Sequence, residues 1–151
     1  MTGFRYRLAP LLRFQEAALQ PLRAALQAAH GRLDDESARL DAIVADVRGC
    51  EQALSGLPAN TPIFLSALGF VREMHERRRM QARVVADAQS AWLQAGDALK
   101  EARARVRQLE KHRERQRLAH REQWQKREYR ELDEAWLRRG GKEGGNEHFT
   151  G

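Results

Sequence analysis

The side chains of this 151-residue chain that could do chemistry are one cysteine, five histidines and a dense population of charged residues. Metal binding needs donors grouped at ligand spacing, and Cys50 has no Cys or His companion so placed. The histidines stand at 30, 75, 112, 120 and 148; His112 and His120 are eight residues apart, not the four that set a metal pair on adjacent helical turns. There is no Gly-rich phosphate loop, and two paired helices leave no pocket for a substrate. The expectation is a non-enzyme with no catalytic residue, no metal and no cofactor, whose work is binding other proteins. A single thiol excludes an internal disulfide and fits a reducing cytosol.

The charged residues carry more information. Lys and Arg number 27 against 21 Asp and Glu, a formal net charge of +6 with a pI near 10.2. Residues 110–131 hold eight of the basic ones, Lys111, Arg113, Arg115, Arg117, Arg121, Lys126, Arg127 and Arg130, against five Glu, with Trp124 and Tyr129 between them. One reading is a basic rod that enters an acidic or polar channel in a partner. Another is a solvated helix laced with pairs such as Glu110 with Arg113 and Glu122 with Lys126, each worth about 0.3–0.5 kcal/mol. Nucleic acid is the third reading and the weakest. The interspersed Glu residues would sit within reach of phosphates, and zipper-type readers place their basic block before the seam, not after it.

Two apolar sets could also meet partners. Tyr129, Leu132, Ala135 and Trp136 make a short stripe near the end of the charged stretch, suited to a docking surface or a dimer contact. Phe64, Leu68, Val71 and His75 fall at i, i+4, i+7 and i+11, one helical face that is partly core and partly a candidate contact site. The adjoining Arg77, Arg78 and Arg79 read as a solvated turn whose long stems cover apolar surface.

The elements that position these residues follow from periodicity. With 32% charged and 7% aromatic residues the composition is that of long helices. Sevens counted from Leu12 give Leu19, Leu26, Leu33, Leu40, Val47 and Leu54, all apolar, which is a coiled-coil seam. From Phe64 the sevens resume as Val71, Arg78, Val85, Trp92, Leu99 and Val106, beside Ala67, Met74, Gln81, Ala88, Ala95, Ala102 and Leu109. Gly56, Pro58 and Pro62 forbid continuous helix between the two runs. Thr61 reads as an N-cap, with Pro62 at the first helical position.

The fold class expected is all-α: a long two-helix antiparallel coiled-coil hairpin with an extended C-terminal helix. Helix 1 covers about 10–56, the turn 57–61 and helix 2 about 62–139, in one domain, with a flexible Gly-rich tail at 140–151. Pro21 predicts a kink near residues 17–21. With the turn centred near Ala59, residue i faces about residue 119 minus i, so the apolar seam stops near Leu109, where helix 1 runs out of length. The same seam could pair two chains, but the matched lengths favour a hairpin closed on itself and a free monomer. Met1 to Leu8 does not read as a signal peptide, and the chain has no run of about 18 apolar residues to span a bilayer.

Phe4, Arg5, Tyr6, Arg7, Leu8, Ala9, Pro10, Leu11, Leu12 and Arg13 at one end resemble the FliJ family of flagellar export proteins. At the other end Leu109, Glu110, Lys111, His112, Arg113, Glu114 and Arg115, then Glu122 and Gln123, and 131–135 beginning Glu131, Leu132, do the same. The hairpin between is similar to that family as well. The resemblance implies a cytoplasmic protein, peripheral to the inner face of the cell membrane at the flagellar base. It would be the central stalk that binds and activates a hexameric export ATPase and links it to an export-gate membrane protein and to substrate chaperones. Nucleic acid and direct membrane insertion are not expected. Carried over, the ring contact falls on Lys111, Arg113, Arg115, Arg117, Arg121, Lys126, Arg127 and Arg130, with Leu132 and Trp136. The gate contact falls on Phe64, Leu68, Val71 and His75. The stalk of a virulence-type secretion system uses the same physics and is the nearest alternative.

Overall fold

The computed structural model describes residues 3–143, of which 141–143 by backbone alone. Two helices account for nearly all of it: α1, Ala9–Ser55, and α2, Pro62–Glu143. The fold is all-α, as the heptads require. α2 continues through Gly140 to Glu143, four residues beyond the end expected from the Gly-rich composition. The rest of that expected tail, 144–151, lies outside the described residues.

Local chemistry explains the boundaries. Pro10 sits in the first turn of α1, where a backbone N–H has no helical partner to lose. Pro21 lies inside α1, on its exposed side, and does not interrupt it. Between the helices Gly56 and Leu57 donate back to the Ala53 and Leu54 carbonyls at 3.3 and 3.1 Å, tightening the last turn. Asn60 takes the left-handed conformation, with φ of 61°, which a short polar side chain tolerates and which reverses the chain. Thr61 then caps α2: its Oγ1 accepts from the Phe64 N–H at 3.2 Å and donates to the Pro58 carbonyl at 2.9 Å.

The chain divides into two compact units. One, Gln15–Ala104, is a helical hairpin in which α1 and α2 run antiparallel. Leu26 faces Gly96, and the His30 and Trp92 rings meet edge to face with centroids 6.0 Å apart. These pairings lie about three residues beyond the partners expected from a register centred on Ala59, namely Leu93 and Gln89. The reason is the lean of helical side chains toward their own N-terminus. In an antiparallel pair the two leans are opposite, so touching side chains arise from Cα positions about a turn apart. Leu93 is accordingly 53% exposed. The other unit contains, of the described residues, 3–14 and 105–143.

The core is thin and falls on the heptads. Leu12, Leu19, Val47, Val71, Met74, Ala88, Leu99, Ala102 and Val106 are the buried residues among those described, and each stands at a seam position. Small Ala side chains let the backbones approach while Leu and Val fill the space between them. Of the polar residues that interrupt the heptad lines, Glu36, on the line three residues after the α1 leucines, and Gln81 on α2 satisfy one another. The Gln81 Nε2 donates to Glu36 Oε2 at 2.7 Å and to the Glu36 carbonyl at 3.0 Å. Among the described residues no helix is long and apolar enough to cross a membrane.

Candidate functional site

Beyond Leu109 α2 has no buried residue, and every described residue from Arg121 to Gly140 is exposed. This is the element that carries Lys111, Arg113, Arg115, Arg117, Arg121, Lys126, Arg127 and Arg130, all of them exposed. Their spacing distributes them around the helix, so the positive charge surrounds it. Arg117 alone of the eight is ion-paired among the described residues, its guanidinium donating to both oxygens of Glu114 at 3.0 and 2.8 Å. That bond holds the Glu114 carboxyl below, and the Arg117 guanidinium above, their ordinary values. The pairs expected from spacing, Glu110 with Arg113 and Glu122 with Lys126, do not form, because freely solvated side chains gain too little to be fixed. Seven cations are thereby left open to a partner.

The apolar residues of the same stretch stand in water. Leu132 is 62% exposed and Trp136 73%, with Tyr129 and Leu137 in the same condition. Large apolar side chains this exposed in a helix otherwise full of charge fit a surface made to be covered.

The N-terminal segment shapes the start of this helix in a way the heptads did not reveal. Residues 4–8 lie along α2. The Tyr6 hydroxyl is 2.7 Å from His112 Nδ1 and donates to the Leu109 carbonyl at 3.3 Å. The Phe4 ring packs against His120 with centroids 5.6 Å apart. His112 and His120 are therefore half-buried where their neighbours are exposed. The signal for this was present: aromatics at 4 and 6, and His112, Gln116 and His120 at four-residue spacing on one face of α2. Histidine accommodates an aromatic neighbour on its ring and a hydroxyl on its nitrogen, which explains the pair without a metal.

The second set of candidate residues lies at the start of α2. Phe64 and Leu68 are half-buried, Val71 is buried at 6% exposure, and the His75 Nε2 lies 2.7 Å from Glu51 Oε1 on α1. They share a face, as the spacing requires, but it is largely the hairpin's own packing surface. The residues that offer apolar area there are Ile63, Leu65 and Phe70, exposed by 68%, 59% and 51%. Heptad counting passes over them because they lie off the seam.

Comparison with known proteins identifies one family. The model of the family described as flagellar FliJ protein matches residues 4–145, nearly the whole chain. Comparison with curated proteins finds no match, and comparison with solved structures finds none.

Proposed function

The chain belongs to the FliJ family, which brings a general role in flagellar type III protein export, and from this premise we propose that it is the stalk that binds and activates the hexameric export ATPase. The observation that carries the reading is the exposed basic part of α2, with its seven unpaired cations and the uncovered Leu132 and Trp136. A helix charged on every side meets a collar of polar carbonyls and carboxylates from any direction. Positive charge around the axis speeds encounter without fixing one rotational position, and Leu132 and Trp136 supply the desolvated contacts that hold the complex.

The gate contact belongs to the start of α2. Phe64, Leu68 and His75 would meet the export-gate membrane protein, with Val71 beneath them as packing support. Substrate chaperones are further partners in this reading, and the protein would work in the cytoplasm, peripheral to the inner face of the cell membrane. No cofactor or metal enters, and the chain contributes contacts, not chemistry.

Equilibrium binding of the purified cognate ATPase to the wild-type chain and to an Arg121→Glu, Lys126→Glu, Arg130→Glu variant tests the ring contact. All three residues are exposed and in no ion pair among the described residues, so the helix survives their reversal. Binding should weaken at least tenfold in the variant and fall with rising salt. Equal binding by both would sink the assignment. A matching salt-dependent affinity for duplex DNA would move the basic helix to the nucleic-acid reading instead.

A further inference from the structure

The apolar seam ends near Leu109, yet the wholly exposed stretch of α2 begins only at Arg121. Between them His112 and His120 are half-buried, and what covers them is not α1 but residues 4–8, which precede it. In that segment Phe4, Tyr6 and Leu8 are half-buried while Gly3, Arg5 and Arg7 are exposed, the alternation of extended chain laid on a surface. Its far end is tied into α1: the Ala9 N–H donates to the Tyr6 carbonyl at 3.2 Å and the Leu12 N–H to the Leu8 carbonyl at 2.9 Å. The hold on α2 is slighter. It consists of the Tyr6 hydroxyl between His112 Nδ1 and the Leu109 carbonyl, and of two tilted ring contacts, Phe4 on His120 and Tyr6 on His112, each with centroids 5.6 Å apart. A hollow of about 310 Å³ remains beside them, lined in part by Tyr6, Leu8, His112 and Gln116, so the segment touches α2 at points and does not pack along it. Contacts this few open more readily than a seam.

We propose that residues 4–8 are a latch that sets where the free part of α2 begins. Closed, the latch splints α2 as far as His120, about 16 Å beyond Leu109, and only the residues from Arg121 on stand as a single helix. Open, it leaves single helix from about Glu110. A lone helix in water is marginally stable, whereas contact along one face holds it, so the two states differ in the order of residues 110–120. An extended chain rises about 3.3 Å per residue and a helix about 1.5 Å, which is how so short a segment reaches three turns of α2. The latch divides the eight cations: Lys111, Arg113, Arg115 and Arg117 stand on the splinted part, Arg121, Lys126, Arg127 and Arg130 on the free part. Tyr6 is its main positioning residue, because one hydroxyl ties both Leu109 and His112. The device belongs to the chain itself and holds whether or not the basic helix enters an ATPase ring.

Hydrogen–deuterium exchange of the full chain, read peptide by peptide, tests the latch without any partner. In the wild type, amide protection should fall between His120 and Arg121. The Phe4→Ala, Tyr6→Ala double variant should speed exchange over residues 110–120 about tenfold and leave residues 15–104 and 121–139 unchanged. Tyr6→Phe, which keeps the ring and loses the hydroxyl, should give a smaller rise in the same residues. Wild-type protection that ends at Leu109 overturns the proposal, and so does a double variant whose residues 110–120 exchange like the wild type. Acceleration spread evenly through both helices overturns it as well, because residues 4–8 would then be ordinary core of the fold.

Discussion

Gln81→Leu is the substitution that tests the hairpin most sharply, because it breaks a pair whose partners are 45 residues apart in sequence. Its amide gives Glu36 two hydrogen bonds, at 2.7 and 3.0 Å. The Glu36 side chain is only 13% exposed, and its remaining partner is Arg39 at 3.2 Å. A hydrogen bond to a charged acceptor contributes about 1.5–3 kcal/mol when buried. Gln81 is half-buried and Arg39 remains, so the loss should be about 1–1.5 kcal/mol after allowing for water at the rim. Removing both polar groups reverses the sign. With Glu36→Leu, Gln81→Leu the seam gains two apolar side chains and leaves no carboxylate facing them, for a net gain of about 1 kcal/mol over the wild type. The assay is urea unfolding followed by far-ultraviolet circular dichroism for the wild type, both single variants and the double. The cycle should show a coupling of about 2 kcal/mol or more. Strictly additive single effects, or a Gln81→Leu variant as stable as the wild type, would refute the pairing of these two positions.

Other consequences are quickly checked. Thr61→Ala removes the oxygen that accepts the Phe64 N–H, and should cost about 1 kcal/mol in the same unfolding assay. Gly96→Ala should stabilise by about 0.5–1 kcal/mol, since the added Cβ would lie 3.9 Å from Leu26 Cδ1 in ordinary contact and the backbone is already helical. The Glu114 carboxyl, held low chiefly by its hydrogen bond from Arg117, contributes stability above its ordinary value of 4.5 and loses it as pH falls through the lowered value. Any melting-temperature gap between wild type and Glu114→Gln at neutral pH should therefore close in acid, and a gap that widens there would reverse the sign of the argument.

Much of this fold is written in the sequence because a coiled-coil core is a periodic object. Six of the nine buried residues are found by counting sevens from Leu12 and Phe64 and the other three, Met74, Ala88 and Ala102, by counting from Ala67, and the cap at Thr61 follows from the residue types around it. The register was harder. Equal lengths alone set Leu26 against Leu93, and only the opposed lean of antiparallel side chains moves the contact to Gly96. The fold-back of Phe4 and Tyr6 onto His120 and His112 was written only in residue types, since a short extended segment has no period to count. The candidate sites were legible to differing degrees. Density of charge marks residues 110–131, but only the structure distinguishes the paired Arg117 from its open neighbours. Spacing alone set Val71 beside Phe64 and Leu68 as a contact residue, yet its burial makes it part of the hairpin's packing.

The most direct test of the central claim is the steady-state ATP hydrolysis rate of the cognate export ATPase, measured alone, with the wild-type chain and with the Arg121→Glu, Lys126→Glu, Arg130→Glu variant. Stimulation by the wild type that is lost with the variant is the result the stalk assignment requires. An unchanged rate on adding the wild-type chain, with the ATPase ring assembled, would contradict it.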